Sequence, residues 1–155
     1  MKAAAVLEAA RARGAMIATA ESCTGGLIAG ALTEVPGSSD VVDRGFVTYS
    51  NAAKCDMIGV QTATLDAHGA VSEAVAGEMA AGALLRSDAG LAVAVTGIAG
   101  PGGSDHKPEG RVCFGVAATG QPVQTETRDF GPLGRREVRA ATVDHALDLL
   151  LKALV

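Results

Sequence analysis

Residues 15–20 form a short apolar run that leads straight into Glu21-Ser22-Cys23-Thr24-Gly25-Gly26, after which Leu27, Ile28 and Leu32 fall at helical spacing. A buried strand followed by a glycine turn and then a helix belongs to layered α/β architectures. Glycine lets backbone N–H groups approach a ligand closely, and a helix start offers donors with no partner inside the helix. The junction therefore constrains both the fold and the place where chemistry can occur. The spacing predicts a helix over residues 24–32.

The remaining pattern extends this reading. Residues 2–13 read as a helix ended by Gly14, with Leu7 as its main anchor. Pro36-Gly37-Ser38-Ser39-Asp40 is turn chemistry. Residues 41–49 read as a strand and 51–58 as a short helix capped by Ser50 or Asn51. Residues 61–69 are either irregular or a short helix. Ser72 opens a clear helix that runs through Leu85, and residues 91–96 form another apolar strand. A glycine- and proline-rich loop fills 97–110. Residues 111–118 and 123–130 form a hairpin, and 134–151 the closing helix, with Val138, Val143, Leu147, Leu150 and Leu151 inward. Strands alternating with helices over 155 residues predict a single α/β domain spanning 1–155, a three-layer α/β/α sandwich with a mixed sheet. Aromatics make up only 3% of the chain, so its core must be built from small aliphatics.

Composition excludes several functions. The formal charge is −4 and no long Lys/Arg run exists, which argues against a nucleic-acid partner. Cys23, Cys55 and Cys113 are odd in number and widely spaced, so they read as reduced thiols of a cytoplasmic protein. No signal peptide or apolar run of membrane-spanning length is visible, so no membrane partner is expected. No Cys, His and carboxylate cluster has metal-ligand spacing; we expect no metal site and no cofactor. An Ala/Gly-rich surface helix could pack against a second copy as a homo-oligomer.

In open α/β sheets ligands bind beyond the carboxyl ends of the strands. Three loops leave strands in that way: 21–26, 50–54 and 97–103. If their strands are parallel neighbours, Ser22, Thr24, Tyr49, Asn51, Lys54 and Thr96 converge. Ser22 is either a nucleophile or the N-cap of the following helix. A serine hydroxyl needs a base. Lys54 serves if burial lowers its pKa, and is otherwise a solvated helix residue. His68, His106 and His145 are scattered and poorly placed for that role. Tyr49 is either a half-buried ring or a relay or orienter between Ser22 and Lys54. Cys23 is either a thiolate nucleophile or a small buried hydrophobe. Glu21 either caps a helix N–H or binds a ribose hydroxyl. Thr96-Gly97-Ile98-Ala99-Gly100-Pro101-Gly102-Gly103 lacks both the P-loop and the dinucleotide-binding spacing. It is either a backbone nest for one phosphate or oxyanion, or a flexible surface loop.

Five strings, at 19–26, 35–39, 49–54, 68–72 and 96–103, together resemble the C-terminal domain of the CinA (competence/damage-inducible) family, in family order and spacing over nearly the whole chain. Members act as nicotinamide-nucleotide amidohydrolases. The family's N-terminal nucleotide-hydrolysing domain is not among these residues, so the chain looks like the stand-alone deamidase form. The resemblance implies hydrolysis of nicotinamide mononucleotide to nicotinic acid mononucleotide and ammonia. It implies Ser22 as nucleophile with Tyr49 and Lys54 as catalytic partners. Substrate contacts are then expected from Glu21, Thr24, Gly25, Gly26, Asn51, Thr96, Gly97, Gly100 and Gly102, with Arg135 or Arg139 on the phosphate and N–H groups of residues 24–26 on the oxyanion. Rival readings are a Cys23-dependent amidohydrolase and a non-catalytic nucleotide-binding regulatory module.

Overall fold

A computed structural model describes residues 1–155. The elements run α1 (Lys2–Arg13), β1 (Ile17–Glu21), α2 (Leu27–Thr33), β2 (Val42–Val47), α3 (Asn51–Ile58), α4 (Thr62–His68), α5 (Glu73–Leu85), β3 (Leu91–Gly97), β4 (Arg111–Ala118), β5 (Gln124–Asp129) and α6 (Arg135–Leu154). The five strands form one mixed sheet in the order β2-β1-β3-β4-β5. Strand β1 lies parallel to both β2 and β3, in register from Ile17 opposite Leu91 to Glu21 opposite Val95. Strands β3, β4 and β5 pair antiparallel. The parallel trio β2-β1-β3 brings three strand ends to one edge of the sheet, which is the condition the three loops needed.

The pleat of the sheet separates side chains by size. On one face Ile17, Leu91, Val93 and Val95 pack with Phe114 against α1, α2 and α6, where Val6, Leu7, Ile28 and Leu150 are fully buried. On the other face Ala18, Ala20, Ala92, Ala94 and Ala117 leave room for α5 to lie almost on the strands, with Ile58 of α3 and Leu65 of α4 beside it. Two glycines permit that approach. A Cβ on Gly115 of β4 would come within 2.3 Å of the Ala76 carbonyl oxygen on α5. One on Gly82 of α5 would come within 1.9 Å of the Ile58 carbonyl oxygen. The result is an α/β/α sandwich built from small residues, as the scarcity of aromatics requires.

Several boundaries differ from expectation, each for a local reason. Helix α2 starts at Leu27 rather than Thr24, because Gly25 and Gly26 take φ of 57° and 106°, outside helical space. Its Leu27 faces solvent, while Ile28 and Leu32 point inward. Strand β2 stops at Val47, since the chain must turn before Ser50 caps α3 by accepting from the Ala53 N–H at 3.0 Å. Residues 38–40 form one 3-10 turn within the loop. Helix α6 runs on to Leu154, which is buried against α1, whereas Val143 and Leu151 are only partly covered. No helix is long and apolar enough to cross a membrane.

Candidate active site

The first loop is shaped by a carboxylate. Glu21, the last residue of β1, is 1% exposed and turns its side chain back under the glycine turn. It accepts from the Thr24 hydroxyl at 2.5 Å, from the Ile28 N–H at 2.8 Å and from the Ala29 N–H at 3.0 Å. Glu21 thus caps α2 from a distance, and Ser22 does not. Ser22 instead sits at the first bend, 8% exposed, with its carbonyl held by the Gly25 N–H at 3.1 Å. That bond takes Gly25 out of the set of free donors. The N–H of Cys23, next to Ser22, makes no hydrogen bond to another residue.

The second loop supplies the amine. On α3 the buried positions are Lys54 and Ile58, four residues apart and therefore on one face. Lys54 is 1% exposed, and its Nζ lies 2.9 Å from Ser22 Oγ, 2.8 Å from the Thr48 carbonyl oxygen and 3.3 Å from that of Tyr49. No carboxylate pairs with it. Burial, without a counter-ion, pulls the Lys54 pKa below its usual 10.5; the Cys23 and Cys55 thiols act weakly in the opposite direction. A neutral amine has two N–H bonds and one lone pair. Two main-chain carbonyls and one hydroxyl match that set.

The third loop, after β3, forms the outer wall. Residues 97–103 line a cleft of about 390 Å³ together with Ser22, Tyr49, Asn51, Lys54, Thr96 and Arg135. The loop is hydrogen-bonded along its length: the Ile98 N–H donates to Arg111, the Gly110 N–H to Ile98 and the Ser104 N–H to Lys107. Thr96 donates its hydroxyl to the Ala70 carbonyl at 2.9 Å. From α6, Arg135 donates to the Gly100 carbonyl and to the Tyr49 hydroxyl, each at 2.8 Å.

The family model for the CinA C-terminal domain matches residues 1–154. This chain belongs to the CinA C-terminal domain family. A competence/damage-inducible protein from Agrobacterium tumefaciens superposes with a TM-score of 0.94 at 56% identity, over 99% of this chain and 93% of its own. A CinA-superfamily protein from Klebsiella pneumoniae has the same score at 39% identity, over 99% and 95%. A CinA-like protein of Chlorobium phaeobacteroides is 53% identical over 91% of this chain but only 34% of its own length. The chain thus spans about a third of that longer relative. A relative from Enterobacter agglomerans, named nicotinamide-nucleotide amidohydrolase PncC, is 50% identical over 95% of this chain and 90% of its own.

Within this CinA domain the expected residues divide into two groups. Ser22, Tyr49, Asn51, Lys54, Thr96, Gly97, Gly100, Gly102 and Arg135 share the cleft. Glu21 and Thr24 do not: they are buried and bonded to each other beneath it, so neither reaches a ribose hydroxyl. Gly25 and Gly26 shape the turn from outside the cleft. Arg139 is also absent from it, because its guanidinium donates to the Cys23 carbonyl at 3.1 Å and the Thr24 carbonyl at 3.2 Å. It braces the turn after Ser22 and does not face the cleft. Tyr49 also differs from expectation. Its hydroxyl is on Arg135 and the residue is 61% exposed, so the hydroxyl does not lie between Ser22 and Lys54; its main-chain carbonyl touches both instead.

Cys23 is 5% exposed within the core, and desolvation pushes its pKa up to about 11. It behaves as a small buried hydrophobe. None of the three histidines lines the cleft; His145 of α6 bonds Glu126 of β5 at 2.9 Å. Sequence reasoning missed the 70–71 corner, where Lys107 donates to the carbonyls of His68 and Val71 and ties the glycine loop down. It also missed Glu109. A Pro-Glu-Gly string carries no signal of partners that lie seven and 25 residues away.

Proposed function

We propose that this chain hydrolyses the carboxamide of nicotinamide mononucleotide, with Ser22 as nucleophile and Lys54 as general base. The observation that carries the reading is the buried amine with no counter-ion, 2.9 Å from the serine hydroxyl and within hydrogen-bond distance of two backbone carbonyls, to which its neutral form would donate both hydrogens. Such an amine has its lone pair free for the serine proton. The substrate comes from the relative named nicotinamide-nucleotide amidohydrolase, which matches this chain over nearly the whole of both sequences.

Lys54 takes the Ser22 proton as Oγ attacks the carboxamide carbon, and the C=O electrons move to oxygen. The free Cys23 N–H is the donor nearest in sequence to the nucleophile for that oxyanion, and a donor of this kind is worth about 10²–10³-fold in rate. The protonated Lys54 then gives its proton to the departing nitrogen, and ammonia leaves. Water attacks the resulting ester, Lys54 takes its proton, and the C–O bond to Ser22 breaks to restore the hydroxyl and release the carboxylate. Arg135 is the only cation besides Lys54 among the cleft-lining residues, and it is exposed. The phosphate of the substrate pairs with it, flanked by the glycine loop.

A thiol mechanism at Cys23 is not favoured, because a thiol held near pKa 11 carries almost no thiolate at neutral pH. Ammonia release from nicotinamide mononucleotide by the purified chain tests the proposal. Turnover that vanishes in Ser22→Ala and persists in Cys23→Ala is expected. No ammonia from the wild type, or full turnover by Ser22→Ala, overturns it.

A further inference from the structure

Glu109 closes a ring behind the glycine loop that walls the cleft. Its Oε1 accepts from the Gly102 N–H at 2.6 Å, and its Oε2 from the Gly134 N–H at 3.0 Å. Gly134 is the N-cap of α6, has φ of 91°, and has no side chain with which to cap the helix itself. The next residue, Arg135, returns to the loop through the Gly100 carbonyl at 2.8 Å. The circuit runs from the glycine loop to the Glu109 carboxylate, to the start of α6, to Arg135 and back to the loop. Glu109 has no Lys, Arg or His within ion-pair distance. Its carboxylate is neither a bare solvated charge nor half of a salt bridge; two amide N–H groups hold it.

The loop is built to admit that carboxylate. A Cβ on Gly100 would lie 2.6 Å from the Glu109 carboxyl carbon and 2.9 Å from Oε1. Glu109 itself does not line the cleft, whereas Gly100, Gly102 and Arg135 do. It therefore acts through them and is a positioning residue.

We infer that Glu109 sets the specificity of the cleft for phosphorylated over unphosphorylated amides, by holding Arg135 and the glycine loop at the distance that brackets a phosphate. The inference rests on the amidohydrolase reading above. It has a specific consequence: loss of Glu109 weakens capture of the anionic half of the substrate and leaves the Ser22–Lys54 chemistry, which Glu109 does not touch, intact.

The test is steady-state kinetics of Glu109→Ala and Glu109→Gln on nicotinamide mononucleotide and on nicotinamide riboside, the same amide without phosphate. The riboside is followed as a substrate or, where its turnover is undetectable, as a competitive inhibitor. For Glu109→Ala we expect KM for the mononucleotide to rise about tenfold, the cost of one misplaced charged hydrogen bond, with kcat within about twofold. Constants for the riboside should stay within about twofold, so the preference for the phosphorylated amide collapses. Glu109→Gln keeps one acceptor and should give a smaller KM rise of the same kind; it carries the test if Glu109→Ala does not fold. An unchanged mononucleotide KM, a loss confined to kcat, or equal losses on both amides overturns the inference while the wild type remains active. A wild type that releases no ammonia overturns the parent reading and this inference with it.

Discussion

The Lys54 amine and the Ser22 hydroxyl lie 2.9 Å apart, and the same amine is held by the carbonyls of Thr48 and Tyr49. The two carbonyls aim the amine: in its neutral form each takes one hydrogen, which leaves the lone pair for Ser22. Geometry and charge state are thus separable. Lys54→Arg preserves the positive charge and much of the volume, but a guanidinium cannot give up its proton near neutrality. Its kcat for ammonia release should fall by about 10²–10⁴, the usual share of a general base. Ser22→Ala should fall at least as far, with an unchanged far-ultraviolet spectrum. An arginine variant with near-normal turnover would remove Lys54 from the mechanism.

The same amine predicts the pH dependence. Burial is the main cause that lowers the Lys54 pKa from 10.5. Only the neutral amine is a base, so kcat/KM should climb with pH along one limb and level off, with its midpoint below 10.5. Stability follows from linkage. Between the lowered folded value and 10.5 the unfolded chain holds the proton and the folded chain does not, so stability rises with pH across that window. The contribution is fully present above 10.5 and is lost as pH falls through the folded value. Cys23 acts in the opposite sense: its folded pKa is raised from 9.0 to about 11, so its contribution is lost as pH rises through that value. The difference in unfolding free energy between wild type and Lys54→Met, measured across alkaline pH by urea denaturation, isolates the lysine. A flat difference curve would contradict a depressed pKa.

Cys23 sits beside Ser22 in sequence, yet its side chain belongs to the core with Ile28 and Val138. Cys23→Ala should keep kcat and KM within about threefold and cost about 1 kcal/mol of stability through the small cavity it leaves. Brief iodoacetamide treatment at pH 7 should leave the wild type active, because the thiol is both covered and protonated. Rapid inactivation with Cys23 as the labelled site would revive the thiol mechanism.

How far these relationships could be read from the sequence depended on how local they are. Lys54 was readable only as one of two alternatives: residues 54 and 58 share a helix face, but a lysine on such a face is as readily solvated, and its burial depends on the loop from β1 that covers it. The convergence of three loops follows from the sequence once the strands in 15–20, 41–49 and 91–96 are parallel neighbours, as β1, β2 and β3 are. Arg139 was not readable in its bracing role, since the carbonyls it serves lie 116 and 115 residues earlier in the chain. The start of α2 was misplaced because helical spacing says nothing about φ at Gly25 and Gly26. Tyr49 was assigned through its hydroxyl, whereas the part that meets Ser22 and Lys54 is a carbonyl that every residue possesses.

Glu21 provides the sharpest test of what supports the turn that carries Ser22. Its carboxylate accepts three hydrogen bonds, from the Thr24 hydroxyl and from two N–H groups seven and eight residues on. The N–H groups of Ile28 and Ala29 are among the first of α2 and have no partner within the helix, so Glu21 supplies at long range what a side-chain cap supplies locally. Glutamine has nearly the same shape but only one acceptor oxygen, so Glu21→Gln would set its amide hydrogens against a donor. The expected loss is about 1–3 kcal/mol, seen as a drop in Tm of roughly 2–4 °C for each kcal/mol in a chain of this size. KM for nicotinamide mononucleotide should stay within about twofold, because the carboxylate lies beneath the cleft and not in it. A raised KM with an unchanged Tm would return Glu21 to the substrate and leave α2 without the cap described here.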